Sequence, residues 1–290
     1  MFSQLMIAAS SLPNILLTSN AFSMMGVVIA TGVVAATGLL IGLFLGFASK
    51  KFEMAVDETE AQVRALLPGA NCGGCGYAGC DACAKAIAEG IAKVNVCPVA
   101  NQEVYNQIAA VMGTTAAVTE KQVAFVKCAG TCDKAEINYE YSGVWDCKKA
   151  SLAPGNAGKK CSYGCMGFGS CVKVCKFDAI HIVNGIAVVD KEKCTGCSTC
   201  VAECPNQLIE LIPYKAETRV SCSSKDKGKD VKASCSTGCI GCKLCVKACE
   251  FDAIHVEDNL AYIDYNKCTN CSKCATACPV KVIHIQKSAS

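Results

Sequence analysis

The chain has 290 residues, 26 of them cysteine, and a formal net charge of only +3. Its basic residues are scattered and not interleaved with aromatics, which argues against a nucleic acid as partner. The cysteine density leaves two classes open: a disulfide scaffold in a secreted protein, or a set of metal sites in a reducing compartment.

No charged side chain precedes Lys50, and residues 24–48 (MMGVVIATGVVAATGLLIGLFLGFA) are an uninterrupted apolar run of 25 residues. As a helix rising about 1.5 Å per residue, such a run crosses a hydrocarbon layer of roughly 30 Å. A cleaved signal peptide needs a charged n-region and a small-residue cleavage site, and the segment has neither. A retained transmembrane helix is therefore expected within residues 1–51. Lys50 and Lys51 follow at once and, by the positive-inside rule, hold the C-terminal flank on the cytoplasmic side. In that compartment thiols stay reduced, so the cysteines read as metal ligands. Gly38, Gly42 and Gly46 share one helix face, which suits either a close-packed partner helix or the ordinary glycine content of membrane helices.

Residues 52–112 read as a small cysteine-bearing domain. An amphipathic helix over 52–68, capped by Asp57 or Thr59, ends at Pro68-Gly69. The glycine-rich loop NCGGCGYAGC then runs into an alanine-rich helix and a distant Cys-Pro. Cys72, Cys75, Cys80 and Cys97 supply four thiolates for one [4Fe–4S] cluster, and the glycines at 73, 74, 76 and 79 let backbone N–H groups turn toward it. Cys83 exceeds the four ligands needed. A further helix is expected over 101–112. Residues 113–160 read as a connecting region with one strand-like segment, QVAFVKC.

The second half is an internal repeat. Residues 161–205 align without gaps on 235–279, with 24 of 45 positions identical. This gives a ferredoxin-like module over 161–213, a polar lysine-bearing linker over 214–234 and a second module over 235–290. Within each module two cysteine runs flank a short alternating segment, AIHIVNGIAVVD in the first, which reads as a β-hairpin. His181, His255 and His284 recur in strand-like text and read as structural strand residues. The fold class is α+β: one transmembrane helix, a small cluster domain, then tandem two-cluster modules.

Cys194, Cys197, Cys200 and Cys204-Pro205 follow the spacing C-x2-C-x2-C-x3-C-P, repeated at Cys268, Cys271, Cys274 and Cys278-Pro279. In this spacing three thiolates wrap one cube and the fourth serves the neighbouring cluster. The rule pairs Cys239, Cys242 and Cys245 with Cys278. It pairs Cys268, Cys271 and Cys274 with Cys249, and Cys194, Cys197 and Cys200 with Cys175. The first run of the first module has Phe168 where the second has Cys242. Cys204 nevertheless needs a cluster beside Cys165 and Cys171; three thiolates would allow a [3Fe–4S] centre or a [4Fe–4S] cluster with one open iron, and Cys161 is expected as the fourth ligand. Cys128, Cys132 and Cys147 form a candidate extra site, while Cys222 shares local text with Cys128 and reads as a buried small residue. The count is five [4Fe–4S] clusters, or six if the extra site is real. A zinc-stabilised scaffold is the alternative of another class, though structural zinc favours paired C-x2–4-C units or histidines. No dinucleotide fingerprint, phosphate loop or nucleophile–base pair is present, so neither flavin or nucleotide binding nor bond chemistry is expected on this chain.

The apolar span, LLPGANCGGCGYAGC with its distant Cys-Pro, and GIAVVDKEKCTGCSTCVAECP together resemble the RnfB family. RnfB is a component of the Rnf complex, a membrane-bound, ion-translocating ferredoxin:NAD+ oxidoreductase. The resemblance covers residues 24–286. It implies a chain of clusters that takes electrons from soluble reduced ferredoxin and relays them toward the flavin/NAD subunit and the membrane core. A membrane-anchored polyferredoxin subunit of a different redox complex is the runner-up.

Overall fold

The computed structural model describes residues 24–51 and 57–286, in two units: the N-terminal helix and the body that begins at Asp57. Helix α1 (Met24–Lys51) contains the 24-residue apolar stretch Met25–Ala48, long and apolar enough to cross a membrane. The two threonine hydroxyls of that stretch are satisfied within the helix: Thr31 donates to the Val27 carbonyl at 2.7 Å and Thr37 to the Val33 carbonyl at 2.9 Å. Hydrocarbon requires such internal pairing.

The body opens with three helices, α2 (Glu58–Leu66), α3 (Cys80–Ala88) and α4 (Gln102–Val111). Asp57 caps α2 by accepting the Thr59 N–H, and Asn101 caps α4 by accepting the Val104 N–H. Residues 52–56, where the amphipathic helix is expected to begin, lie outside the described residues, as do 1–23. Val63, Ile87 and Ile108 bury their side chains completely where the three helices meet, together with Cys80, Cys83 and Cys97.

The remainder is two copies of one plan. In the first, β1 (Gln122–Val126) is followed by the short turns α5 (Cys147–Ala150) and α6 (Pro154–Ala157), then α7 (Ser170–Lys173). The hairpin β2 (Ile180–Val183) and β3 (Ile186–Val189), α8 (Thr199–Glu203) and β4 (Ile209–Pro213) complete it. The second copy runs β5 (Thr218–Val220), α9 (Gly228–Ser234), α10 (Leu244–Ala248), β6 (Ile254–Glu257), β7 (Leu260–Ile263), α11 (Lys273–Ala277) and β8 (Ile283–Ile285). The expected hairpins are both present. Asn184-Gly185 in one and Asp258-Asn259 in the other hold positive φ at both turn positions, as a two-residue hairpin turn requires.

The module boundaries move upstream of those expected from the repeat. β1, in the segment read as a connecting region, pairs antiparallel with β4 (Val126 opposite Ile209). β5, in the segment read as a linker, pairs with β8 in the same register (Val220 opposite Ile283). Each opening strand therefore closes its own module's sheet. The two strand ends also bond to each other: the Ala129 N–H donates to the Ser221 carbonyl at 3.0 Å. The Ser223 hydroxyl donates to the Lys127 carbonyl at 3.1 Å. Strand-end Cys128 lies 33 positions before Cys161, whereas its counterpart Cys222 lies 13 before Cys235. The first module thus carries 20 extra residues, and they include Cys132 and Cys147.

Candidate metal centres

All 26 cysteines lie among the described residues and none forms a disulfide. Twenty-four of them gather into six groups of four, each assembled from segments that the folding brings together.

Quartet I is Cys72, Cys75, Cys80 and Cys97. Asn71, with φ +46°, turns the loop back so that its side-chain oxygen accepts the Cys80 N–H at 2.8 Å, fixing the start of α3. The buried Tyr105 hydroxyl donates to the Cys97 carbonyl at 2.7 Å and ties α4 to the quartet. Burial holds the Cys97 thiol above its ordinary range, and Cys75 and Cys72 add to that shift. Cys83 is buried against the same group, its thiol pushed up to about 12 by burial and then by Cys75.

Quartet III joins Cys194, Cys197 and Cys200 to Cys175; burial, then those three neighbours, push the Cys200 thiol up to about 12. Quartet VI joins Cys268, Cys271 and Cys274 to Cys249 around one cavity. Quartet V joins Cys239, Cys242 and Cys245 to Cys278 around another. In V the Cys245 thiol is raised to about 11 by burial and by Cys239, Cys242 and Cys278. Burial raises a thiol's pKa by disfavouring the thiolate, and metal binding requires that thiolate.

Quartet II departs from expectation. Cys165, Cys171 and Cys204 line one cavity, and the fourth cysteine on its wall is Cys147, not Cys161. Cys147 arrives on the extra segment of the first module. Its N–H donates to the Ser170 hydroxyl at 2.7 Å, and that hydroxyl donates to Asp146 at 3.0 Å. Phe168 takes the place of the absent cysteine, its ring 5.2 Å from both Tyr141 and Trp145 of the same segment. The insertion thus delivers a replacement thiolate and covers the substituted position. Cys161 faces another cavity, where it meets Cys128, Cys222 and Cys235 as quartet IV. The expected grouping of Cys128, Cys132 and Cys147 is likewise not formed: the three go to quartet IV, to the surface beside the Gly185 turn, and to quartet II.

Backbone N–H groups point at several of the sulfurs. Ala124 donates to Cys194, Ala179 to Cys175, Leu208 to Cys204 and Ala253 to Cys249, at 3.3–3.5 Å. Such bonds stabilise thiolate charge and tune the potential of a bound centre. Among the described residues, no three Cys, His, Asp or Glu side chains converge closely enough to hold one metal ion. The histidines stay on their strands, His181 and His255 beside Asp178 and Asp252.

Two ferredoxin-type modules, a third cysteine domain and an apolar helix define an iron–sulfur protein of the multi-cluster electron-carrier class. Family models agree: a putative Fe-S cluster domain matches residues 67–99, a 4Fe-4S binding domain 187–210 and a 4Fe-4S dicluster domain 238–282. The chain is 46% identical over 243 residues to the B component of the Na+-translocating ferredoxin:NAD+ oxidoreductase complex of Acetobacterium woodii, covering 83% of this chain and 73% of that one. It is 45% identical over 237 residues to the B component of the ion-translocating oxidoreductase complex of Methanosarcina acetivorans, covering 81% and 89%. It is 42% identical over 238 residues to the B component of the proton-translocating ferredoxin:NAD+ oxidoreductase complex of Clostridium ljungdahlii, covering 81% and 84%. The chain belongs to this family, the B components of ion-translocating oxidoreductase complexes.

Proposed function

We propose that this chain takes electrons from reduced ferredoxin and passes them through five [4Fe–4S] clusters, held by quartets I, II, III, V and VI, toward the flavin/NAD subunit and membrane core of its complex. When bound, each cluster supplies reversible one-electron transfer at a potential set by the protein around it. The all-thiolate donor sets, the shared cavities they line and the N–H groups aimed at sulfur support that reading. The work of the chain's own residues is to hold neighbouring quartets close and to keep water from them.

The observation that carries the proposal is the contact between quartets I and III. Gly74 of the first lies so close to the carbonyl of Cys197 that a Cβ there would be 2.3 Å from that oxygen. The three-helix domain is thereby seated on the ferredoxin modules. Sites II and III share a module, and Cys200 of one lies near enough to Cys171 of the other to raise its thiol further. Quartets V and VI are linked through their exchanged cysteines: α10 carries Cys245 of V and ends at Cys249 of VI, while α11 carries Cys274 of VI and ends at Cys278 of V. Helix α1 anchors the chain in the bilayer with the body on the cytoplasmic side, supported by Lys50 and Lys51 at its C-terminal end.

Membrane vesicles with and without this chain test the proposal. Ferredoxin-dependent NAD+ reduction coupled to ion uptake should vanish without it and return on complementation. Coupled activity unchanged in its absence would assign the chain to another redox complex. A colourless anaerobic preparation with zinc and no labile sulfide would leave only the scaffold reading.

A further inference from the structure

The cavity at the junction of the two modules belongs to neither ferredoxin motif, and none of its four cysteines falls in a segment matched by a family model. We propose that Cys128, Cys161, Cys222 and Cys235 hold a further [4Fe–4S] cluster that bridges the modules. This rests on the iron–sulfur reading of the other quartets and adds a site to it.

Four observations converge on the proposal. The first is the symmetry of the donors. Cys161 and Cys235 are equivalent in the repeat, and Cys128 and Cys222 each stand two residues beyond the opening strand of their module. Each module contributes the same pair, so the duplication itself builds a four-thiolate site where the copies meet. A buried small residue, the ordinary reading of any one of these cysteines, does not require all four to face a common space.

The second is size. The junction cavity measures about 30 Å³, against about 20, 20 and 10 Å³ at quartets II, VI and V. A well-packed interior leaves few voids beyond a water molecule. The junction space is no smaller than those of the ferredoxin-type quartets and is lined by the same number of sulfurs, so it suits the same occupant.

The third is the polarity of the wall. The Ser224 N–H donates to Cys222 Sγ at 3.5 Å. Lys159, buried on the cavity wall, donates its ammonium to the carbonyls of Gly130 and Gly185 at 2.9 and 3.1 Å. An ammonium taken out of water is costly unless negative charge lies close; four thiolates around a cube provide it.

The fourth is position. The Cys165 N–H of quartet II donates to Cys128 Sγ at 3.4 Å, and the Cys239 N–H of quartet V donates to Cys222 Sγ at 3.3 Å. These residues are equivalent in the repeat, so the junction site stands one hydrogen bond from a ligand of each flanking quartet. With it the quartets form a single file, I, III, II, IV, V, VI.

The test uses the full chain purified anaerobically in detergent. Native mass spectrometry should give about 24 irons and 24 sulfides, four of each per cluster. The double variant C161S/C235S should lose about one sixth of both and keep the EPR signals of the other centres, whereas C132S should lose none. About 20 irons in the parent chain, or an unchanged count in the double variant, overturns the junction site and leaves the five-cluster reading intact. Absence of labile sulfide in the parent chain overturns both. If the double variant loses more than one cluster through misfolding, the parent count decides: about 24 sustains the site and about 20 sinks it.

Discussion

Gly74 and Cys197 touch backbone to backbone, with no room for a methyl group between them: a Cβ on Gly74 would lie 2.3 Å from the Cys197 oxygen. The contact joins the first cysteine quartet to the third, and Lys176 reinforces it by donating its ammonium to the Asn71 carbonyl. Replacing Gly74 with Val should push the loop off the module at a cost of roughly 1–3 kcal/mol, as overpacking does. Iron content should stay whole, because no thiolate is touched. Rapid-mixing spectroscopy should show electrons crossing more slowly between the three-helix domain and the modules. Unchanged transfer kinetics in a variant that is folded and fully loaded would show that this contact is not part of the route.

Removal of Cys147 separates two assignments of the second quartet. C147A leaves Cys165, Cys171 and Cys204, and three thiolates should give the EPR signal of an oxidised [3Fe–4S] centre in the air-exposed protein. C161A should leave that centre four-iron. The converse result would restore Cys161 as the ligand. Asp146 offers an independent handle, since it caps α5 by accepting the Lys149 N–H at 3.0 Å and also accepts the Ser170 hydroxyl. D146A should cost about 1 kcal/mol of local stability, the usual loss for such a cap. It should also make the second centre the most labile toward chelators.

Which groupings are legible in the sequence has a physical origin. Cysteines in one run, such as 194, 197 and 200, are fixed relative to each other by a few residues of local turn, so spacing alone groups them. The exchanged ligands Cys175 and Cys249 follow from the repeat. Cys147 and Cys161 do not, because their partners are set by how an extra 20 residues pack back on the module, and no local spacing encodes that. Phe168 is the visible sign of a missing ligand, but the replacement lies 21 positions upstream. The junction quartet does leave a trace: Cys128 matches Cys222, and Cys161 matches Cys235. Read one at a time these are spare cysteines; read as equivalent pairs they are a shared site. The strands β1 and β5 are hidden for a related reason, since each pairs with a partner more than 60 residues away at the far end of its module.

Iron removal should unfold the modules and not merely bleach them. In the second module's buried cluster of nine residues, Cys222, Cys239, Cys245 and Cys274 stand beside only five hydrocarbon side chains. With so little apolar core, the bound centres carry much of the folding free energy. Chelation under oxidising conditions should abolish the cooperative thermal transition seen by circular dichroism, apart from the contribution of the long helix α1. An apo chain that still melts cooperatively at the holo temperature would show that the protein core suffices.

Lys159 should set a potential. Its ammonium is buried on the wall of the junction cavity, held by the Gly130 and Gly185 carbonyls, and it favours the ionised form of the nearby Cys165 thiol. A positive charge stabilises the reduced, more negative state of a neighbouring centre, so K159M should lower the potential of whichever centre lies nearest. At an effective dielectric of about 20, a nearby unit charge is worth on the order of 1–2 kcal/mol, or tens of millivolts for one electron. The carbonyls left behind each cost about 1–3 kcal/mol if no water reaches them, so the variant should also melt earlier. K159R keeps the charge and should restore most of the potential even where packing suffers. EPR-monitored redox titration of the three proteins distinguishes the two effects: a potential lowered equally by Met and Arg would come from the disturbed packing, and one lowered by Met alone from the lost charge.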